Sequence, residues 1–143
     1  MMGVMVTDRL EAIDAEACVE ILRQHYIGRI SVVVDGQPLI FPVNYAMDGQ
    51  RVVFRSDAGT KLFGANGKRV AFEIDSADAV SHEGWSILVV GIAREETDRQ
   101  RRRLLEQLPL RPWASGPKTH WLYIAPGAIT GRRLVHLSDA SPL

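Results

Sequence analysis

At 143 residues and 46% apolar content, the chain has the size and hydrophobicity of one domain with a real core. Seventeen basic and seventeen acidic residues cancel, which removes the electrostatic footprint of a general nucleic-acid binder. A single cysteine, Cys18, excludes an internal disulfide and the common four-ligand zinc patterns. No signal-peptide pattern opens the chain and no apolar run nears the ~20 residues of a membrane span, so a cytoplasmic protein is expected.

Residues 14–26 read as a helix. Asp14 can cap it, and Glu16 and Glu20 suit the positive end of its dipole. Cys18, Ile21, Leu22 and His25 recur at helical spacing and define a packed face. Cys18 on that face is expected to be a small buried hydrophobe. Ile13 and Cys18 bracket the cap as a hydrophobic staple would, and Gly28 stands where a left-handed residue would end the helix.

Strand signals follow. Residues 30–34 are rich in β-branched side chains, and Asp35-Gly36 is a type I′ hairpin signal. A second strand is expected over 39–46, where Leu39, Phe41, Val43 and Tyr45 alternate with Ile40, Pro42, Asn44 and Ala46. Pro42 has no N–H to donate, which predicts an unpaired position, a bulge or a sheet edge. Asp48-Gly49 is a second hairpin signal before a strand over 51–56, so a three-stranded antiparallel meander is expected. A short helical turn over 60–65 and a fourth strand over 69–75 come next, then a polar irregular stretch over 76–83.

Residues 85–95 read as a long strand, nearly all apolar from 87 to 93, which predicts burial on both faces in a barrel interior or a subunit interface. Gly91 would let it bend at a barrel corner. Asp98 can cap a charged helix to about residue 107, in which Arg99, Arg101, Arg102 and Arg103 read as a solvated face. Residues 108–118 read as an ordered loop, 120–124 as a strand, and 129–135 as its resumption after Pro126 and Gly127. A loose tail is expected over 138–143. About six strands with hairpin connections and no βαβ alternation predict an antiparallel barrel with peripheral helices, a single domain over 1–143 with its ordered core at about 8–135.

Chemistry concentrates where the strand over 51–56 meets the turn over 60–65. Arg55, Ser56, Thr60 and Lys61 put two cations and two hydroxyls within seven positions, beside the expected N-terminus of a helical turn. Such a junction suits a phosphate through free N–H groups, the helix dipole and full charges. The same residues also suit an ordinary barrel surface. Asn44, disfavoured in mid-strand, serves either a ligand edge or a loop cap. Trp85-Ser86, Trp113 and His120-Trp121 can wall a flat aromatic ligand or plug a barrel end, and His120 is the sharpest acid–base candidate of four histidines. No Ser-His-Asp arrangement, P-loop, metal-ligand cluster or dinucleotide fingerprint is present in the sequence.

The order of these motifs is more specific than any one of them. The helix ending in Gly28-Arg29-Ile30 is followed by PVNY at 42–45, VVFRSDAGTKL at 52–62 and VAFEID at 70–75. GWSILVVGIARE at 84–95, LRPW at 110–113 and HWLYIAPGAITGRR at 120–133 complete the series. Over roughly residues 8–135 it resembles the pyridoxamine 5′-phosphate oxidase-like family of FMN-binding split β-barrels, in particular small actinobacterial-type members. The resemblance implies a homodimer that binds two flavins at its interface. It also implies that Arg55, Ser56, Thr60 and Lys61 take the FMN phosphate and that Asn44 lies near the polar edge of the isoalloxazine. Trp85, Ser86, His120 and Trp121 would line the ring region, some of them from the partner subunit.

The chain lacks, after Arg132-Arg133, the C-terminal tryptophan-containing arginine motif of the true oxidases, so a reaction other than vitamin B6 oxidation is expected. The implied function is hydride transfer through FMN to a small substrate. Alternatives within the fold are an F420-dependent reductase, with Lys68 and Arg69 toward the acidic tail of its cofactor, and a non-catalytic flavin- or haem-binding protein. His25, His82, His120 and His136 are the possible haem ligands.

Overall fold

The computed structural model describes residues 6–110 and 120–138. Its frame is the 19-residue strand β8 (His120–Ser138), laid antiparallel against the 13-residue β7 (Glu83–Glu95). The other edge of β8 is shared. Its first residues pair with β5 (Arg51–Ser56) and its last with β1 (Val6–Ile13). Beyond β7 lie β6 (Arg69–Asp78), β2 (Ile27–Val34) and the edge strand β3 (Gln37–Asn44), and the short β4 (Ala46–Asp48) flanks β5. This single eight-stranded antiparallel sheet curls into a split barrel around Ile30, Phe54, Phe72, Ile87, Leu122 and Ile124, all fully buried.

The mainly β split barrel matches expectation, but among the described residues eight strands replace the expected six. β1 carries Asp8, Arg9 and Glu11 among its eight residues, so its own alternation is weak; pairing with β8 at eight positions makes it a strand. The sequence predicts a break in β8 at Pro126-Gly127. The strand runs through them instead, because Gly91 pairs with Pro126 and Val90 with Ala128, leaving Gly127 as the extra residue of a bulge. The backbones approach so closely there that a Cβ on Gly91 would lie 2.1 Å from the carbonyl oxygen of Ala125.

Helix α1 (Ala15–Arg23) starts where its cap predicts: the Asp14 carboxylate accepts the N–H of Ala17 at 2.8 Å. Ile13 and Cys18 are both buried in the main core, and burial pushes the Cys18 thiol up. The helix is shorter than the 14–26 expected, ending at Arg23 with Gln24 as a right-handed cap. Its buried face is Cys18, Val19 and Leu22, with His25 beyond the end. Gly28 is therefore no cap; it lies in β2, where a Cβ would come 2.3 Å from the Phe72 ring.

The expected meander is split. Asp35 and Gly36 turn with φ 51° and 77°, as a type I′ hairpin requires, and join β2 to β3. Gly49, with φ 62°, turns β4 into β5. The two hairpins nevertheless sit at opposite ends of the sheet order, because the chain leaves β3 at Tyr45. Tyr45 is buried, its ring edge-on to Phe72 and its hydroxyl donating to the Leu22 carbonyl at 2.6 Å. Pro42 is tolerated because β3 is an edge.

β7 is buried on one face through Ile87, Val89 and Ala93, while Leu88 on the other is 38% exposed. That outward face carries a cross-strand row of Ile40, Ser31, Ala71, Val90 and Ala128. Helix α2 (Arg99–Leu105), capped by Asp98 through the Arg101 N–H, packs Leu105 with Val53 and Trp121. Arg99, Arg101 and Arg103 are exposed, as expected of a solvated face. Most of the expected loop over 108–118, Trp113 included, and the tail over 139–143 lie outside the described residues.

Candidate functional site

Strand pairing assembles four of the nine predicted residues at the end of β5. In the β5–β8 ladder Arg55 is opposite Trp121 and Ser56 is opposite His120. Side chains alternate across a strand, so the two pairs occupy opposite faces. On the first face the Arg55 guanidinium lies 4.7 Å from the Trp121 ring centroid, with Arg51 similarly 4.6 Å from Tyr123. Trp121 is only 4% exposed and packs beside Leu105, so in this chain its ring is a platform for Arg55.

On the second face Ser56 is buried and its hydroxyl is 3.0 Å from that of Thr60. Thr60 donates to the Asp57 carbonyl at 2.8 Å and accepts the Phe63 N–H at 3.1 Å. The helix expected over 60–65 is a three-residue 3₁₀ turn, Phe63–Ala65, whose first N–H groups already serve Thr60 Oγ1, Lys61 O and Leu62 O. A helix dipole and free helical N–H groups are therefore not what would hold a phosphate here. The cations remain, with Lys61 exposed and open space around Gly59, whose φ is 81°.

His120 is held from three sides. Its Nδ1 is 2.5 Å from Glu95 Oε2, its ring meets Phe63 edge-on with centroids 4.9 Å apart, and Ser56 is its cross-strand neighbour. Glu95 is fixed in turn by its backbone N–H, which donates to Asn66 Oδ1 at 2.9 Å. Nothing in the local sequence pattern singles out Glu95, Asn66 or Phe63. Only the register that sets Glu95 opposite Leu122 reveals that this carboxylate, 25 residues before His120, is its partner.

The remaining predicted residues lie elsewhere. Trp85 and Ser86 pair with Arg133 and Arg132, at the far end of β8. Trp121 and Arg133 are 12 residues apart, a contour of about 40 Å at ~3.3 Å per residue. Trp85 packs on the main core with its ring 5.1 Å from that of His25. Ser86 borders an open cavity of about 370 Å³ with Arg132, Asp75 and Leu10. Nearby, Arg29 pairs with Glu73 at 3.0 Å and Asp75 at 3.4 Å. Burial, then the neighbouring Asp75, pushes the Glu73 carboxyl up against the opposing pull of Arg29. Asn44 ends β3 opposite Ile27, with its Oδ1 buried.

Among the described residues no group of three or more His, Cys, Asp or Glu is placed to hold a metal, and no helix is long and apolar enough to cross a membrane. His25 packs on Trp85, His82 sits in a turn with φ 58°, and the His136 side chain lies outside the described residues.

The sequence model of the pyridoxamine 5′-phosphate oxidase family matches residues 14–133. The chain belongs to this family. All nine predicted site residues fall inside the family match. An uncharacterized protein of Mycobacterium tuberculosis is 30% identical over 129 residues, covering 86% of this chain and 84% of its own. Among solved structures, the FAD binding protein from Mycobacterium smegmatis is 37% identical with a TM-score of 0.76, covering 86% of this chain and 98% of its own. A conserved protein of unknown function from Corynebacterium diphtheriae has a TM-score of 0.75 at 31% identity, covering 88% and 98%.

Proposed function

We propose that this member of the pyridoxamine 5′-phosphate oxidase family is a cytoplasmic, homodimeric flavoprotein that holds FMN and transfers hydride between the flavin and a small substrate. The observation that carries the reading is the end of β5, where Arg55 and His120 stand on consecutive rungs of the β5–β8 ladder, on its two faces, beside the Ser56–Thr60 turn that leads to Lys61, inside the family match. Two cations and an imidazole fit a phosphate, and charge-assisted hydrogen bonds are the strong ones. Bound flavin supplies the redox chemistry; the protein binds, orients and shields it.

On this reading Arg55 is stiffened by the Trp121 platform, and Lys61 closes the exposed side of the phosphate. Ser56 and Thr60, whose hydroxyls are tied to one another and to the turn, shape the loop that carries Lys61. Trp85, Ser86 and Asn44 are assigned to the ring region. The separation of Trp85 and Ser86 from Arg55 along β8 supports two copies of the chain, each adding its Trp85 end to the other's phosphate end. The outward row of small and apolar residues, with Ile40 68% exposed, supplies a face for that second copy.

The absorbance spectrum of the purified protein tests the proposal, followed by mass spectrometry of whatever heat releases. Flavin absorbance is expected, and a colourless protein that takes up no flavin on titration would overturn it. FAD is the second reading, favoured by the FAD binding relative from M. smegmatis. Parallel titrations with FMN, FAD and F420 separate the readings by the tightest ligand. Sedimentation of the loaded protein tests the dimer, and a monomer with full flavin affinity removes the shared-site arrangement.

A further inference from the structure

We propose that Glu95 and His120 form a carboxylate–imidazole dyad that serves the phosphate of the flavin, Glu95 as a positioning residue and His120 as a ligand. This rests on the FMN reading and adds to it a residue that the sequence does not reveal. The 2.5 Å contact between Glu95 Oε2 and His120 Nδ1 places a proton between carboxylate and ring, which leaves Nε2 as the ring nitrogen for a ligand. A phosphate at Nε2 would call for a ring that donates from both nitrogens, with the Glu95 carboxylate accepting from Nδ1.

Four further contacts make the dyad a built feature. Asn66 anchors the backbone of Glu95, so the carboxylate is held at the end of β7. Phe63 limits rotation of the His120 ring by its edge-on contact. Phe63 is itself bonded through its N–H to Thr60, and Thr60 to Ser56, which is the cross-strand neighbour of His120. The loop bearing Lys61, the strand bearing Arg55 and the dyad are thus one hydrogen-bonded and packed unit. Glu95 and His120 are each less than one-third exposed, at 21% and 29%, so the pair is shielded more than a surface ion pair.

The test compares FMN with riboflavin, which lacks the phosphate, by fluorescence titration of the wild type, His120→Ala and Glu95→Gln. His120→Ala should lose about tenfold or more in FMN affinity while riboflavin affinity changes less than about twofold. Glu95→Gln should move the same ratio in the same direction by a smaller factor, since its amide oxygen still accepts from Nδ1. In the wild type, ¹⁵N NMR of the His120 ring should show Nε2 shifting with FMN and not with riboflavin, a reading independent of whether a variant folds. Equal losses for both flavins, no loss for either, or an unmoved Nε2 would overturn the dyad alone. A wild type that binds neither flavin, or binds both equally, would overturn the phosphate assignment with it.

Discussion

Removal of the charge at Arg55 without removal of its stem separates binding from stability. The guanidinium stacks 4.7 Å from the centroid of the buried Trp121 ring, so Arg55→Ala removes both a cation and a cover for that ring. Arg55→Met keeps most of the aliphatic cover and deletes the charge. A half-buried guanidinium bonded to a phosphate contributes about 1.5–3 kcal/mol. Exposed Lys61 is discounted for solvent screening to about 0.5–1 kcal/mol. Arg55→Met with Lys61→Ala should therefore weaken FMN by about 2–4 kcal/mol, roughly 30- to 1,000-fold in Kd. Riboflavin titrated in parallel should lose much less. Thermal melts of the apo-protein give the control: Arg55→Ala forfeits a stacking contact of about 0.5–2 kcal/mol, and Arg55→Met should melt higher than Arg55→Ala. Unchanged FMN affinity in a folded double variant would return the β5 junction to ordinary barrel surface.

Gly91→Ala should be among the most damaging single changes, because its Cβ would sit 2.1 Å from a backbone oxygen of Ala125 and part the β7–β8 ladder. A loss of about 2–3 kcal/mol or more is expected in urea titration, and a change below about 0.5 kcal/mol would show that the bulge is not tight. Tyr45→Phe removes the donor to the Leu22 carbonyl at the end of α1, at a cost of about 1–2 kcal/mol in the same assay; a neutral result would mean the carbonyl finds another donor. Glu73→Gln tests a linkage. The raised carboxyl of Glu73 favours folding at acid pH, and that contribution is lost as pH rises through its folded-state value. The Gln variant should therefore melt above wild type at about pH 7 and lose that advantage below the ordinary value of 4.5. An advantage that grows with acidity would reverse the assignment.

Short-range chemistry is legible in the amino-acid sequence alone. The Asp14 and Asp98 caps and the Asp35-Gly36 turn each depend on one residue and its immediate neighbours, and Pro42 narrows its strand to an edge, a bulge or an unpaired position. The ordered motifs from residue 28 to residue 133 are enough for the family and the split barrel. Where local pattern is weak or misleading, pairing decides. β1 is a strand because β8 accepts it, and β8 survives Pro126 because a bulge absorbs Gly127. The site follows the same division. Its cations can be located from spacing, whereas the union of Glu95 with His120, the stacking of Arg55 on Trp121 and the removal of Trp85 to the far end of β8 come only from register. Local periodicity carries which face a side chain occupies; it holds no information about which distant strand lies beside it, and that neighbour sets the chemistry of this site.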